Sequence, residues 1–142
     1  MDDFGISGLG GVFFKCNNPE ETMAWYEQML GLKTDGEYGA TFEWRSLRNP
    51  SEKRSTSWSP FPQTSAYFSP SEKPFMLNFR VKDLKKLLEH LQEKGVNQTG
   101  ELQHTEYGKF AWILDPDGIK IELWEADDDV FQAITEGKTH PT

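Results

Sequence analysis

In the stretch YGKFAWILDPDGIKIELWE, residues 107–125, Asp115 and Asp117 fall in a turn pattern and Glu125 ends the segment, while Glu122 alone sits inside the apolar and aromatic strand pattern. Three roles are open to such a group: metal ligand, wall of a binding pocket, or solvated strand residue. Alternation along IKIELW puts Ile119, Ile121 and Leu123 on one face and Lys120, Glu122 and Trp124 on the other. If the aliphatic face packs on a helix, Glu122 turns into a concave cavity. Strand alternation elsewhere brings Phe13, Trp44, Trp58, Met76, Asn78, Arg80, Phe110, Trp112 and Trp124 to the same side, with Lys15 among them. Aromatic walls with a few polar groups describe a small-molecule pocket, in which stacking supplies contact area and the polar groups fix orientation.

Burying Glu122 unpaired would be costly, so it must pair with Arg80 or Lys120, or meet a donor or cation on a ligand. A cationic or amine-bearing ligand would also gain from the tryptophan faces. Catalysis has two candidates, Glu122 as a base and Tyr107 as a general acid. Plainer readings stand beside these: a structural Glu122–Arg80 salt bridge, and tryptophans that only pack between modules or at a dimer interface. The three histidines are His90, off the leucine stripe of its helix, His140 near the end, and His104, the one plausible substitute ligand.

The single Cys16 cannot form an intrachain disulfide and has no metal-type cysteine spacing, which fits a packed strand position in a reducing compartment. A net charge of -8 and the lack of a Lys/Arg cluster argue against nucleic acid. No apolar run is long enough to span a bilayer, and MDDFGISGLGG has no signal-peptide pattern, so a soluble cytoplasmic protein is expected.

The elements that must position these residues repeat. LGGVFFKC reads as a strand; Asn18 then caps a helix, Pro19 suits its first position, and Gly31 stops it after Thr22, Trp25, Tyr26, Met29 and Leu30. FMLNFRV followed by an Asp83 cap, a Leu84, Leu87, Leu88, Leu91 stripe and Gly95 has the same grammar. Tyr38-Gly39 before Phe42 and Trp44 matches Tyr107-Gly108 before Phe110 and Trp112 at nearly constant separation, and Trp58 matches Trp124. An internal duplication of a strand, helix, strand-strand-strand unit follows. Asp115-Pro116-Asp117-Gly118 predicts a tight turn joining FAWIL to IKIELW. Between the halves, the rings Trp58, Phe61, Tyr67 and Phe68 in a Ser/Pro-rich stretch predict an ordered crossover that packs on the sheet or lines its mouth. The last residues, 127–142, form an acidic tail with a short apolar patch, Val130, Phe131 and Ile134, expected to dock loosely.

VFFKCNNPEETMAWYEQMLGL, NFRVKDLKKLLEHLQEKGV and FAWILDPDGIKIELWE together resemble the vicinal oxygen chelate superfamily of glyoxalase I, bleomycin-resistance proteins and extradiol dioxygenases. The resemblance implies an α+β fold in one domain: two βαβββ modules, 9–68 and 75–126, forming a curled, open barrel-like mixed sheet with helices outside. It also implies a homodimer. Metal-dependent relatives place a ligand on the first strand and near the end of each module; these positions fall on Gly11, Met76, the neighbourhood of Thr56, and Glu122. Only Glu122 offers a good ligand, and one carboxylate is too few to hold a divalent ion. The expectation is a cofactor-free binder of a small aromatic or cationic molecule, as in bleomycin-resistance proteins. The alternative is a lyase, isomerase or dioxygenase with an atypical metal set, or with Glu122 as a metal-independent base.

Overall fold

The computed structural model describes residues 1–141. Its elements follow the order β1 (Ile6–Cys16), α1 (Pro19–Leu30), β2 (Ala40–Arg45), β3 (Lys53–Pro62), β4 (Phe75–Val81), α2 (Leu84–Glu93), β5 (Gln103–Thr105), β6 (Gly108–Leu114), β7 (Lys120–Ala126) and α3 (Asp128–Thr135). All strands join one seven-stranded sheet in the order β2-β3-β1-β4-β7-β6-β5. The modules meet edge to edge through antiparallel β1 and β4, while β1–β3 and β4–β7 are parallel, the crossover pairs that each helix makes possible. The two modules therefore share one mixed sheet within a single chain. Register shifts between Ile6 and Gly8 and between Leu9 and Gly11 mark irregular pairing on β1, the local feature by which a strand is bent and more strongly twisted.

The helix starts are as the caps predict: the Asn18 side chain accepts from the Glu21 N–H at 3.1 Å and that of Asp83 from the Lys86 N–H at 3.1 Å. Gly31 closes α1 with φ 69°. Leu84 and Leu87 of α2 pack on Val81, Ala111, Ile121 and Leu123, so the aliphatic faces of β4, β6 and β7 are covered and their alternate residues face the concave side. The β6–β7 hairpin turns at the expected tetrapeptide, where Asp115 Oδ1 accepts from the N–H groups of Asp117 and Ile119.

Three expectations need correction. After α1 the first module has two strands, where the duplication predicted three. Asp35 Oδ1 accepts from the N–H groups of Glu37, Tyr38 and Gly39, folding 35–39 into a turn whose donors are lost to any sheet ladder. Trp58 packs away from the cavity, its ring 4.6 Å from Tyr26 of α1 and 5.2 Å from Phe14, while Ser57 and Ser59 beside it line the cavity. The C-terminal segment is more than a loose tail. Its helix α3 is capped by Asp127, Asp128 pairs with Arg80 at 2.8 Å, and the Phe131 ring meets Trp124 edge-on at 5.1 Å.

Candidate functional site

The concave face holds a cavity of about 800 Å³. β1, β4, β6 and β7 supply Phe13, Asn78, Phe110, Glu122 and Trp124. Phe110 and Trp124 are cross-strand neighbours whose rings stack at 5.8 Å with an 8° interplanar angle, and Trp112 continues the ladder 6.4 Å beyond Phe110. Such near-parallel rings pack offset against one another and give this side of the concave face its aromatic surface.

Glu122 is 3% exposed and accepts from three side chains: Asn78 Nδ2 at 2.6 Å on Oε1, Trp112 Nε1 at 2.8 Å on Oε2, and the Tyr67 hydroxyl, also on Oε2. Tyr67 arrives from the crossover. Strand register makes the rest automatic, because Asn78 and Trp112 are the direct neighbours of Glu122 on β4 and β6. The carboxylate thus rests on charge-assisted hydrogen bonds and not on a salt bridge. Neither proposed partner reaches it. Arg80 is spent on Asp128 and on Ser55, whose carbonyl oxygen and Oγ accept at 2.9 and 3.0 Å. Lys120 donates to the Tyr67 carbonyl at 2.7 Å and lies over the Tyr67 and Trp112 rings. Burial pushes the Lys120 pKa down, opposed by the charge of Glu122.

Gly10 makes this arrangement possible. A Cβ on Gly10 would overlap Asn78 Oδ1 and stand 3.3 Å from Arg80 Cγ. The bare backbone lets the Asn78 amide lie flat on β1 and point its N–H group at Glu122.

Of the other predicted contacts, Met76 and Trp112 are buried with Phe68 under the crossover, and Trp44 lines a separate groove with Arg80. Tyr107 reaches the cavity rim from the start of the β6 hairpin. Its hydroxyl is raised in pKa by hydrogen bonding to Glu106 and by that carboxylate's charge, which opposes proton release. His104 stands in the exposed strand β5 and lines a different, shallow groove.

Sequence reading missed three contributors. Tyr67 was legible as a crossover ring but not as the partner of Glu122. The loop 33–39 supplies Lys33, Asp35 and Tyr38, and the C-terminal segment supplies Phe131 and Ile134. The apolar patch Val130, Phe131 and Ile134 was the available signal for the last.

Tyr67 gives a pH test. Burial of its hydroxyl end, then the charge of Glu122, raise its pKa far above the ordinary 10.0. Above pH 10 the unfolded chain releases this proton and the folded chain keeps it, so Tyr67 stabilises fully below pH 10 and progressively less as pH rises beyond it. Urea melts from pH 8 to 11 should show a steeper alkaline loss for the wild type than for Tyr67→Phe. Equal slopes would remove Tyr67 from the Glu122 cluster.

Two modules sharing one open curled sheet, with helices on its outer side, define the class of fold. The Glyoxalase/Bleomycin resistance protein/Dioxygenase superfamily model matches residues 8–123. The chain belongs to that superfamily. No curated protein matches it. Among solved structures it is similar to methylmalonyl-CoA epimerase from Mycobacterium tuberculosis, at 17% identity and TM-score 0.53 over 89% of this chain and 92% of that one. It is also similar to a variant methylmalonyl-CoA epimerase from Streptomyces coelicolor in complex with 2-nitronate-propionyl-CoA, at 13% identity and TM-score 0.57 over 83% and 96%. A third is a protein from Legionella pneumophila described as an NAD-dependent benzaldehyde dehydrogenase, at 14% identity and TM-score 0.52 over 80% and 96%. These likenesses concern the fold.

Metal-dependent members of such a family need open carboxylate, imidazole or amide ligands. Here Gly11 has no side chain, Met76 is packed against Phe68, and the Thr56 hydroxyl donates to the Leu9 carbonyl and accepts from Trp44. Glu122 has its lone pairs directed at three protein donors. The residues at these positions do not fit a divalent ion.

No helix among the described residues is long and apolar enough to cross a membrane.

Proposed function

We propose that this protein is a metal-free binder of a flat, neutral or cationic aromatic molecule, working as a cytoplasmic homodimer. The observation that carries the reading is the parallel Phe110–Trp124 wall beside a carboxylate already satisfied by three protein donors. The Phe110 ring offers a planar or cationic guest an aromatic surface, while Trp124, which already carries the Arg80 guanidinium 4.5 Å from its ring centre, backs it. Around the cavity stand Asp35, Glu37 and Glu122 against Lys33 and Lys138, on a chain of net charge -8, which disfavours an anion. Trp25, Met29 and Leu30 of α1 are exposed apolar side chains available to a second copy.

Tryptophan quenching and calorimetry with N-methylquinolinium, neutral quinoline and anionic 2-naphthoate test the reading. Binding of the first two and not the third is expected, unchanged after dialysis against chelator, with Phe110→Ala about tenfold weaker through loss of one stacking face. Stoichiometric uptake of Ni, Zn, Mn or Fe that fails in Glu122→Gln would instead support a lyase or dioxygenase-like site and overturn the proposal.

A further inference from the structure

The C-terminal segment lies beyond the region that defines the family, which ends at residue 123, yet it builds one side of the cavity. Its root is fixed by the Arg80–Asp128 pair at 2.8 Å and by Phe131 against Trp124. Its far end is tied to the loop that forms another part of the cavity lining. The Lys33 backbone N–H donates to His140 Nδ1 at 3.0 Å, Lys33 Nζ donates to the Gly137 carbonyl at 2.8 Å, and the His140 N–H donates to the Thr41 carbonyl at 2.7 Å. Between these anchors α3 buries none of its residues, and Ile134 remains 44% exposed while lining the cavity. A helix held at both ends, with an aliphatic side chain lining the cavity and left partly uncovered, presents apolar surface that an occupant of the cavity would bury.

We infer that Ile134, with Phe131 beside it, is a specificity-determining wall selecting ligands that carry an apolar arm in addition to a flat aromatic head. The head lies on the Phe110–Trp124 rings and the arm reaches α3. The inference rests on the aromatic-binding reading above. Because the wall stands outside the family region, it tunes this chain's ligand choice separately from the shared sheet.

The test compares N-methylquinolinium with N-hexylquinolinium on the full chain, by calorimetry and tryptophan quenching. The wild type should bind the hexyl compound at least about tenfold more tightly, a gain expected from burying a few methylenes. Ile134→Asp should erase most of that increment, read as the hexyl-to-methyl affinity ratio within the one variant so that any effect of the new charge on the shared quinolinium head cancels. Ile134→Phe should keep or enlarge it. An increment that survives Ile134→Asp intact, or a wild type that does not distinguish the two compounds, would overturn the role of α3 while leaving the aromatic cavity standing. Failure of the wild type to bind either quinolinium would overturn the binding reading itself, and the inference with it.

Discussion

Gly10→Ala is expected to cost about 3 kcal/mol, through overpacking and the loss of a charge-assisted hydrogen bond, although it adds only one methyl group. The new Cβ would occupy the space of Asn78 Oδ1 and crowd Arg80 Cγ, and both of those side chains are buried, at 2% and 3% exposure. Neither can swing into solvent. Displacing Asn78 breaks its hydrogen bond to Glu122, and displacing Arg80 disturbs its contacts to Ser55 and Asp128. For a chain of 142 residues the melting temperature should fall by roughly 10 °C, and quinolinium binding should weaken together with stability. A double-mutant cycle supplies the specific check. Asn78→Ala alone removes a donor from Glu122, but in the Gly10→Ala background it also makes room for the methyl, so the double variant should be more stable than the sum of the two losses. Strict additivity would show that the amide is not what the methyl meets.

Glu122→Gln is expected to destabilise by about 1–2 kcal/mol despite nearly identical shape, because a neutral amide oxygen accepts less strongly than a carboxylate and one side of the group becomes a donor. If the new nitrogen replaces Oε1 it faces Asn78 Nδ2; if it replaces Oε2 it faces Trp112 Nε1 and Tyr67. Only the second arrangement fails outright; in the first, a flip of the Asn78 amide can offer its otherwise unpartnered Oδ1 to the new nitrogen while the amide oxygen still accepts from Trp112 and Tyr67. Glu122→Leu should cost more, about 2–4 kcal/mol, leaving three donors without acceptors. Urea midpoints measure the loss, and the emission of Trp112 should shift as its indole N–H is released. A Glu122→Leu protein within about 0.5 kcal/mol of wild type would contradict the three-donor arrangement, since leucine offers those donors no acceptor.

Much of this was legible in the chain. The caps at Asn18 and Asp83, the Gly31 stop, the Asp115-Pro116-Asp117-Gly118 turn and the two-residue period of IKIELW are local signals, each set by one or two residues and their near neighbours. They were enough to put Phe110, Glu122 and Trp124 on one side of β6 and β7. The missing strand of the first module was a harder case: alternation could not reveal that Asp35 would claim three backbone donors for a turn. Trp58 was misplaced because its match to Trp124 suggested equivalent environments. In the first module that position is parallel-paired to Val12 and covered by α1.

The sequence by itself determined the family, the repeated strand-helix grammar of the two halves and the strand face that Glu122 shares with Lys120 and Trp124. These follow from periodicity and short-range turn chemistry, which act within a few residues. Only the tertiary structure decided what that carboxylate touches. Tyr67 is 55 residues from Glu122 and Asn78 is 44, while the Arg80–Asp128 pair spans 48. Those partnerships depend on which strands lie side by side and on where a crossover returns, a competition among buried donors and acceptors that is settled only when the whole sheet has closed around them.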